Sequence, residues 1–140
     1  MLFLDTSVIV PFYVPEALSP RVQRLFSSGE PLSISSLAQV EFTSAIARLV
    51  RMKALSKRSG RSVLEEFESH IKRKLYAFQA ITPKEYELAL GWIGSFRTSL
   101  RTLDALQLAV ASSNDLPLVT TDKGLAKAAK TLGVTTRGLP

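Results

Sequence analysis

Apolar residues along this chain follow two different rhythms. Met1–Leu4, Leu32–Ile34 and Leu118–Thr120 are short, mainly apolar runs bounded by polar or turn residues, and they read as buried strands. Tyr76–Ile81 partly alternates and reads as a further strand, and Val134–Thr136 follows Gly133 as a last one. Between these runs the spacing changes to that of helices. Val22, Leu25 and Phe26 share one side of Leu18–Ser28, and Gly29 ends that stretch. Ser35 or Ser36 opens a long helix running to about Lys53. Leu64, Phe67, Ile71 and Leu75 mark another helix from about Ser56, its first turn weakened by Ser59-Gly60.

Local start signals sharpen the remaining helices. Thr82-Pro83-Lys84-Glu85 combines a cap, a proline at the first helical position and a glutamate that closes a capping box. Thr102 opens Leu103–Ser113, Asn114–Pro117 is a turn, and Asp122–Leu132 is a helix stopped by Gly133. After the first strand, Thr6 or Ser7 caps a short helix that Pro11 and Pro15 disturb. Strands thus alternate with helices, which predicts an α/β sandwich with a mainly parallel sheet. At 140 residues, with no repeat or linker, the expectation is one domain over 1–140.

Composition narrows the chemistry. There is no cysteine and one histidine, His70, which excludes thiolate and His-rich metal centres and disfavours a Ser-His-Asp triad. The net charge of +6 points toward polyanionic partners. No apolar run has the length of a membrane span, and Met1–Asp5 lacks the basic start of a signal peptide, so a cytoplasmic protein is expected.

The placement of acids is more telling. Only four aspartates occur, and Asp5, Asp104 and Asp122 sit where apolar runs meet turns or helix starts. Each alone is explained by helix capping or by the helix dipole. Glu41 is different, because Leu37, Glu41, Ala45 and Leu49 recur on one packed helix face. A carboxylate there is either paired, with a buried arginine for example, or at the edge of a cleft. Clefts in open parallel sheets form beyond the carboxyl ends of strands, where Asp5 and Asp122 fall. Four acids meeting at one rim repel one another, and a hard divalent cation with oxygen ligands relieves that repulsion. Mg²⁺ pairs naturally with phosphate, which makes a phosphodiester the expected substrate. The hydroxyls of Thr6, Ser7, Thr120 and Thr121 flank these acids and are available to orient them.

Four segments carry a family resemblance: Leu4-Asp5-Thr6-Ser7-Val8-Ile9, Ser36 to Ala45 around Glu41, Arg101-Thr102-Leu103-Asp104-Ala105-Leu106-Gln107-Leu108-Ala109, and Leu118-Val119-Thr120-Thr121-Asp122-Lys123-Gly124-Leu125. In this order they resemble the PIN-domain ribonucleases, in particular VapC-like toxins of toxin–antitoxin pairs. The resemblance implies a three-layer α/β/α sandwich with a five-stranded parallel sheet. It implies Mg²⁺- or Mn²⁺-dependent endonucleolytic cleavage of RNA, with Asp5, Glu41, Asp104 and Asp122 as the acidic site and Asp5 and Asp104 foremost as metal ligands. Thr6 and Thr121 match hydroxyl positions beside the family's metals. Gln107 departs from the pattern, since many relatives have histidine there; a carboxamide hydrogen-bonds but cannot donate a proton as an imidazolium does. The resemblance further implies a homodimer and a small cognate antitoxin protein, for which Phe12, Tyr13 and Leu49 offer groove residues.

The expected chemistry is in-line attack of a cation-activated water, leaving 5′-phosphate and 3′-hydroxyl ends. Arg48, Arg51, Arg101 and Lys123 are the expected RNA-backbone contacts. His70 is expected at the surface, and Trp92 and Phe96 in one helix as packing residues. The competing reading is a non-catalytic RNA-binding or regulatory module on the same fold. A haloacid-dehalogenase-type phosphatase needs a second aspartate where Ser7 stands, and a receiver domain needs an adjacent acidic pair that is missing.

Overall fold

A computed structural model describes residues 1–140. Five strands, β1 (Leu2–Leu4), β2 (Leu32–Ser35), β3 (Tyr76–Gln79), β4 (Leu118–Val119) and β5 (Thr136–Arg137), form one sheet in the order β3-β2-β1-β4-β5. Every pairing is parallel. Seven helices connect and cover them: α1 (Thr6–Tyr13), α2 (Ser19–Phe26), α3 (Ser36–Arg51), α4 (Lys57–Lys72), α5 (Pro83–Gly94), α6 (Thr102–Ser113) and α7 (Lys123–Thr131).

The three layers follow from the period of the central strand. Leu2 and Leu4 pack with Val8, Ile9, Val22, Phe42, Ile46 and Phe67 from α1 to α4. Phe3, between them, packs with Leu108, Val110, Leu125 and Ala129 from α6 and α7. Successive side chains of a strand leave opposite faces, so β1 feeds both cores at once. Val119 and Leu118 divide between the same two cores.

Chain order reverses beside β1. The crossovers β1→β2→β3 run to one side, and β4 and β5 lie on the other. The cleft beyond the carboxyl ends of β1 and β4 is therefore the switch point at which ligands of open α/β sheets bind.

Several local expectations are corrected. Pro11 lies inside α1 without ending it. Ser59-Gly60 does not weaken α4, which Ser56 caps with a 3.0 Å bond from the Ser59 backbone N–H. Gly60 is buried against α3, and a Cβ there would stand 2.7 Å from Val50 Cγ2. The last strand is Thr136–Arg137, two residues later than its apolar start suggests. Phe96 lies past the end of α5 and is 91% exposed, whereas Trp92 packs on the α6/α7 core.

His70 is half-buried rather than a surface residue. Its Nδ1 lies 2.8 Å from the Tyr13 hydroxyl, which lies 2.8 Å from that of Tyr76. Burial pushes both tyrosine hydroxyls well above their ordinary range. Tyr13 is buried, and the partly buried Phe12 and Leu49 pack against the same core.

Candidate active site

Asp5 ends β1 and caps α1. Its Oδ2 accepts from the Ser7 backbone N–H (3.3 Å), the Ser7 hydroxyl (2.6 Å) and the Thr120 hydroxyl (2.9 Å). Oδ1 receives none of these bonds. Ser7 Oγ also accepts from the Thr121 backbone N–H at 3.0 Å, which ties the start of α1 to the end of β4. Pro11 has no N–H to offer the Ser7 carbonyl four residues back. Thr121 Oγ1 approaches that carbonyl from β4's side at 3.4 Å. A helix-interior proline thus leaves an acceptor facing the neighbouring acidic motif.

Glu41 stands on α3 at the border between the packed face, marked by Ala38, Phe42 and Ile46, and solvent. Its partner is not an arginine. Gln107 Nε2 donates to Glu41 Oε1 at 2.6 Å, while Gln107 Oε1 accepts from the buried Ser35 hydroxyl at 2.8 Å. Ser35 also caps α3 by accepting from the Ala38 N–H at 3.3 Å. The chain from Ser35 through Gln107 to Glu41 fixes the orientation of the carboxamide, since its oxygen faces a donor and its nitrogen a carboxylate. The cap signal identified Ser35, but its link to Gln107 had no signal in the sequence.

Asp104 is half-buried in the first turn of α6. Asp122 is exposed, caps α7 and accepts from the Leu125 N–H at 2.9 Å. Asp104 lies within electrostatic reach of Asp5, Glu41 and Asp122, and Glu41 within reach of Asp5. Burial pushes the Glu41 carboxyl up, and the charges of Asp5 and Asp104 add to this against the hydrogen bond from Gln107. Burial likewise raises Asp104, with Asp5 and Asp122 adding to it and Arg101 opposing it. No arginine or lysine forms an ion pair with any of the four; the ion pairs are Lys72–Glu68 and Arg137–Glu30.

The acids share a rim without closing on one point, for no three acidic side chains are near enough to make a finished cation cage. Asp5 Oδ2 and Asp122 Oδ1 are engaged in helix caps. The residues nevertheless fit a hard divalent cation. Their donors are all oxygen, and the buried Thr6 Oγ1, next to Asp5, makes no hydrogen bond of normal geometry although it lies near enough to Glu41 to favour its charged form.

The basic residues divide into two groups. Arg101 and Lys123 are exposed beside Asp104 and Asp122. Arg48 and Arg51 are exposed toward the far end of α3, on the order of 10 and 15 Å along the axis from Glu41.

Comparison with known proteins agrees with this fold. The chain is 27% identical over 127 residues to Ribonuclease VapC3 of Pyrobaculum aerophilum, covering 90% of this chain and 92% of that one. The fold superposes on FitAcB from Neisseria gonorrhoeae with a TM-score of 0.76 at 20% identity, covering 100% of this chain and 97% of the other. It superposes on VapC20 of Mycobacterium tuberculosis, a sarcin–ricin loop cleaving toxin, with a TM-score of 0.71 at 19% identity over 91% and 95% of the two chains. The PIN domain profile matches residues 2–131, and with its four acidic segments inside that span the chain belongs to the PIN-domain family.

Proposed function

We propose that this chain is a divalent-cation-dependent endoribonuclease and the toxin of a toxin–antitoxin pair. The observation that carries the reading is the set of four carboxylates, none of them in an ion pair, that gather about the switch point of the sheet in a chain of net charge +6. Pure RNA binding gains nothing from four negative charges at the cleft, so the acids need a cation to justify their cost.

Asp5, Glu41, Asp104 and Asp122 hold Mg²⁺ or Mn²⁺, with Asp5 and Asp104 as the direct ligands and the hydroxyls of Thr6 and Thr121 in support. The cation supplies Lewis-acid activation of water and neutralises charge at the phosphate. Arg101 and Lys123, beside the acids, receive the phosphates flanking the scissile bond, and Arg48 and Arg51 track the backbone farther along α3. Gln107 holds Glu41 in place and moves no proton. The products carry 5′-phosphate and 3′-hydroxyl ends.

Two protein partners belong to this reading. A cell that makes such a nuclease needs a dedicated inhibitor, which is the role of a small antitoxin. A second copy of the chain pairs through α5, where Tyr86, Leu90 and Ile93 form an exposed apolar stripe at helical spacing.

The test is cleavage of unpaired RNA by the purified chain with Mg²⁺ or Mn²⁺, and with a chelator in their place. Metal-dependent products bearing 5′-phosphates, lost in Asp5→Asn and Asp104→Asn proteins that still fold, are the expected result. Activity that survives Asp5→Asn, or products ending in 2′,3′-cyclic phosphate, would overturn the assignment.

A further inference from the structure

Phe96 breaks two rules at once. Its ring is 91% exposed, and its backbone sits in the left-handed region at φ +58°. Bulky side chains rarely adopt that conformation, and the ring contributes no burial in return. Gly94 stands two residues earlier, so a residue better suited to the turn was close at hand.

The ring borders a cavity of about 280 Å³ lined in part by Phe96, Arg97, Thr98, Ser99, Gly124 and Lys127. This lining contains two cations and no acid. Arg97 is anchored there, its Nη2 donating to the Thr131 carbonyl at 3.1 Å. Gly124 connects the cavity to the acidic rim, since a Cβ at that position would lie 3.2 Å from Asp122 Oδ1.

Building on the ribonuclease reading, we infer that this cavity is a subsite for one unpaired nucleotide next to the scissile phosphate, whose base stacks on Phe96 while its phosphate rests on Arg97 and Lys127. Exposed aromatic faces bind bases of any identity, and cationic neighbours bind the backbone. Bases in a duplex are stacked and paired, so the subsite selects loops and single strands. A second copy of this basic chain is a poorer occupant, because its net charge of +6 meets two more cations with no acid to offset them.

The test uses the full chain carrying Asp5→Asn, so that RNA binds without being cut. Short unpaired oligoribonucleotides carry 2-aminopurine at successive positions, and its fluorescence reports stacking. Quenching at one position is expected with Phe96 present, and none when the same strand is fully paired. Phe96→Asn, which suits the left-handed backbone, should abolish the quenching and weaken binding about tenfold with an unchanged salt slope. Lys127→Ala should keep the quenching and lower the salt slope by about one. In the cleaving protein, Phe96→Asn should raise KM and leave kcat in place.

Equal quenching and affinity in Phe96→Asn would overturn the subsite. So would a loss of self-association with RNA affinity untouched, which would place Phe96 between protein copies. Phe96-dependent quenching in Asp5→Asn, with no RNA cleaved by the wild-type chain, would instead sink the nuclease reading and its scissile phosphate while leaving the nucleotide site on Phe96 standing.

Discussion

Gln107 donates a 2.6 Å hydrogen bond to Glu41 and with its other end accepts from Ser35, so one carboxamide joins the buried cap of α3 to the acidic rim. An alanine at this position leaves the Ser35 hydroxyl buried without an acceptor and Glu41 without its donor. Gln107→Ala should cost about 1–3 kcal/mol of stability in denaturant unfolding. The Glu41 carboxyl should rise further, because the Gln107 bond is the larger of the two that lower it, the other coming from Thr6. Carboxylate NMR titration reads that shift. An unchanged Glu41 titration would show that the bond carries no weight.

The raised acids give stability a definite pH dependence. Glu41 and Asp104 hold protons more tightly folded than unfolded. The folded state therefore binds more protons, and stability falls as pH climbs from about 4 through their raised folded values. Glu41→Gln and Asp104→Asn should each flatten that fall. Mg²⁺ or Mn²⁺ should stabilise the chain more at neutral pH, where the carboxylates are ionised, than at pH about 4. Thermal unfolding with and without the cation checks both. A cation effect of equal size at both pH values, or one that persists undiminished in Asp104→Asn, would count against a carboxylate site.

Glu85 works in the opposite sense and far from the rim. Burial pushes its carboxyl up, but the hydroxyls of Ser113 (2.5 Å) and Thr82 (2.5 Å) and the Thr82 backbone N–H (2.7 Å) outweigh this and bring it down to about 2. Its contribution to stability is complete above the unfolded value of about 4.3 and disappears as pH falls through about 2. Glu85→Ala should cost about 1–2 kcal/mol at neutral pH through the lost cap of α5, and less in strong acid. The comparison of the two proteins across the acid range is the measurement, and a difference that grows toward low pH would contradict it.

Gly60 sets the distance between α3 and α4. Gly60→Ala places a methyl 2.7 Å from Val50 Cγ2. Despite the better helix propensity of alanine, the substitution should destabilise by about 1–3 kcal/mol through overpacking. Trimming the opposing side chain with Val50→Ala should recover part of the loss, giving a double-mutant coupling of about 0.5 kcal/mol or more. Strict additivity of the two changes would mean that the helices separate freely.

The errors in reading this chain share one source. Pro11 argued for a disturbed helix, yet α1 continues past it, and the Ser7 carbonyl that the proline leaves free accepts from Thr121 Oγ1 beyond the neighbouring strand. Ser59-Gly60 argued for a weak first turn, yet the missing side chain is what lets α4 lie on Val50. His70 in a charged segment argued for solvent, yet the buried Tyr13 hydroxyl draws its ring inward. In each case a partner distant in sequence reversed a local preference.

What the chain by itself determined was the alternation of strand and helix, the caps, and the segments that carry Asp5, Glu41, Asp104 and Asp122. Periodicity and capping are local physics, acting between residues a few positions apart, and a linear pattern holds all of it. Only the folded arrangement decided that β1 lies between β2 and β4, and hence that Asp5 meets Thr120 at a switch point. It also decided that Glu41 is met by Gln107 and not by a guanidinium, and that Phe96 stands in solvent beside Arg97 and Lys127. Those outcomes turn on packing and charge between residues dozens of positions apart, and no spacing along the chain encodes them.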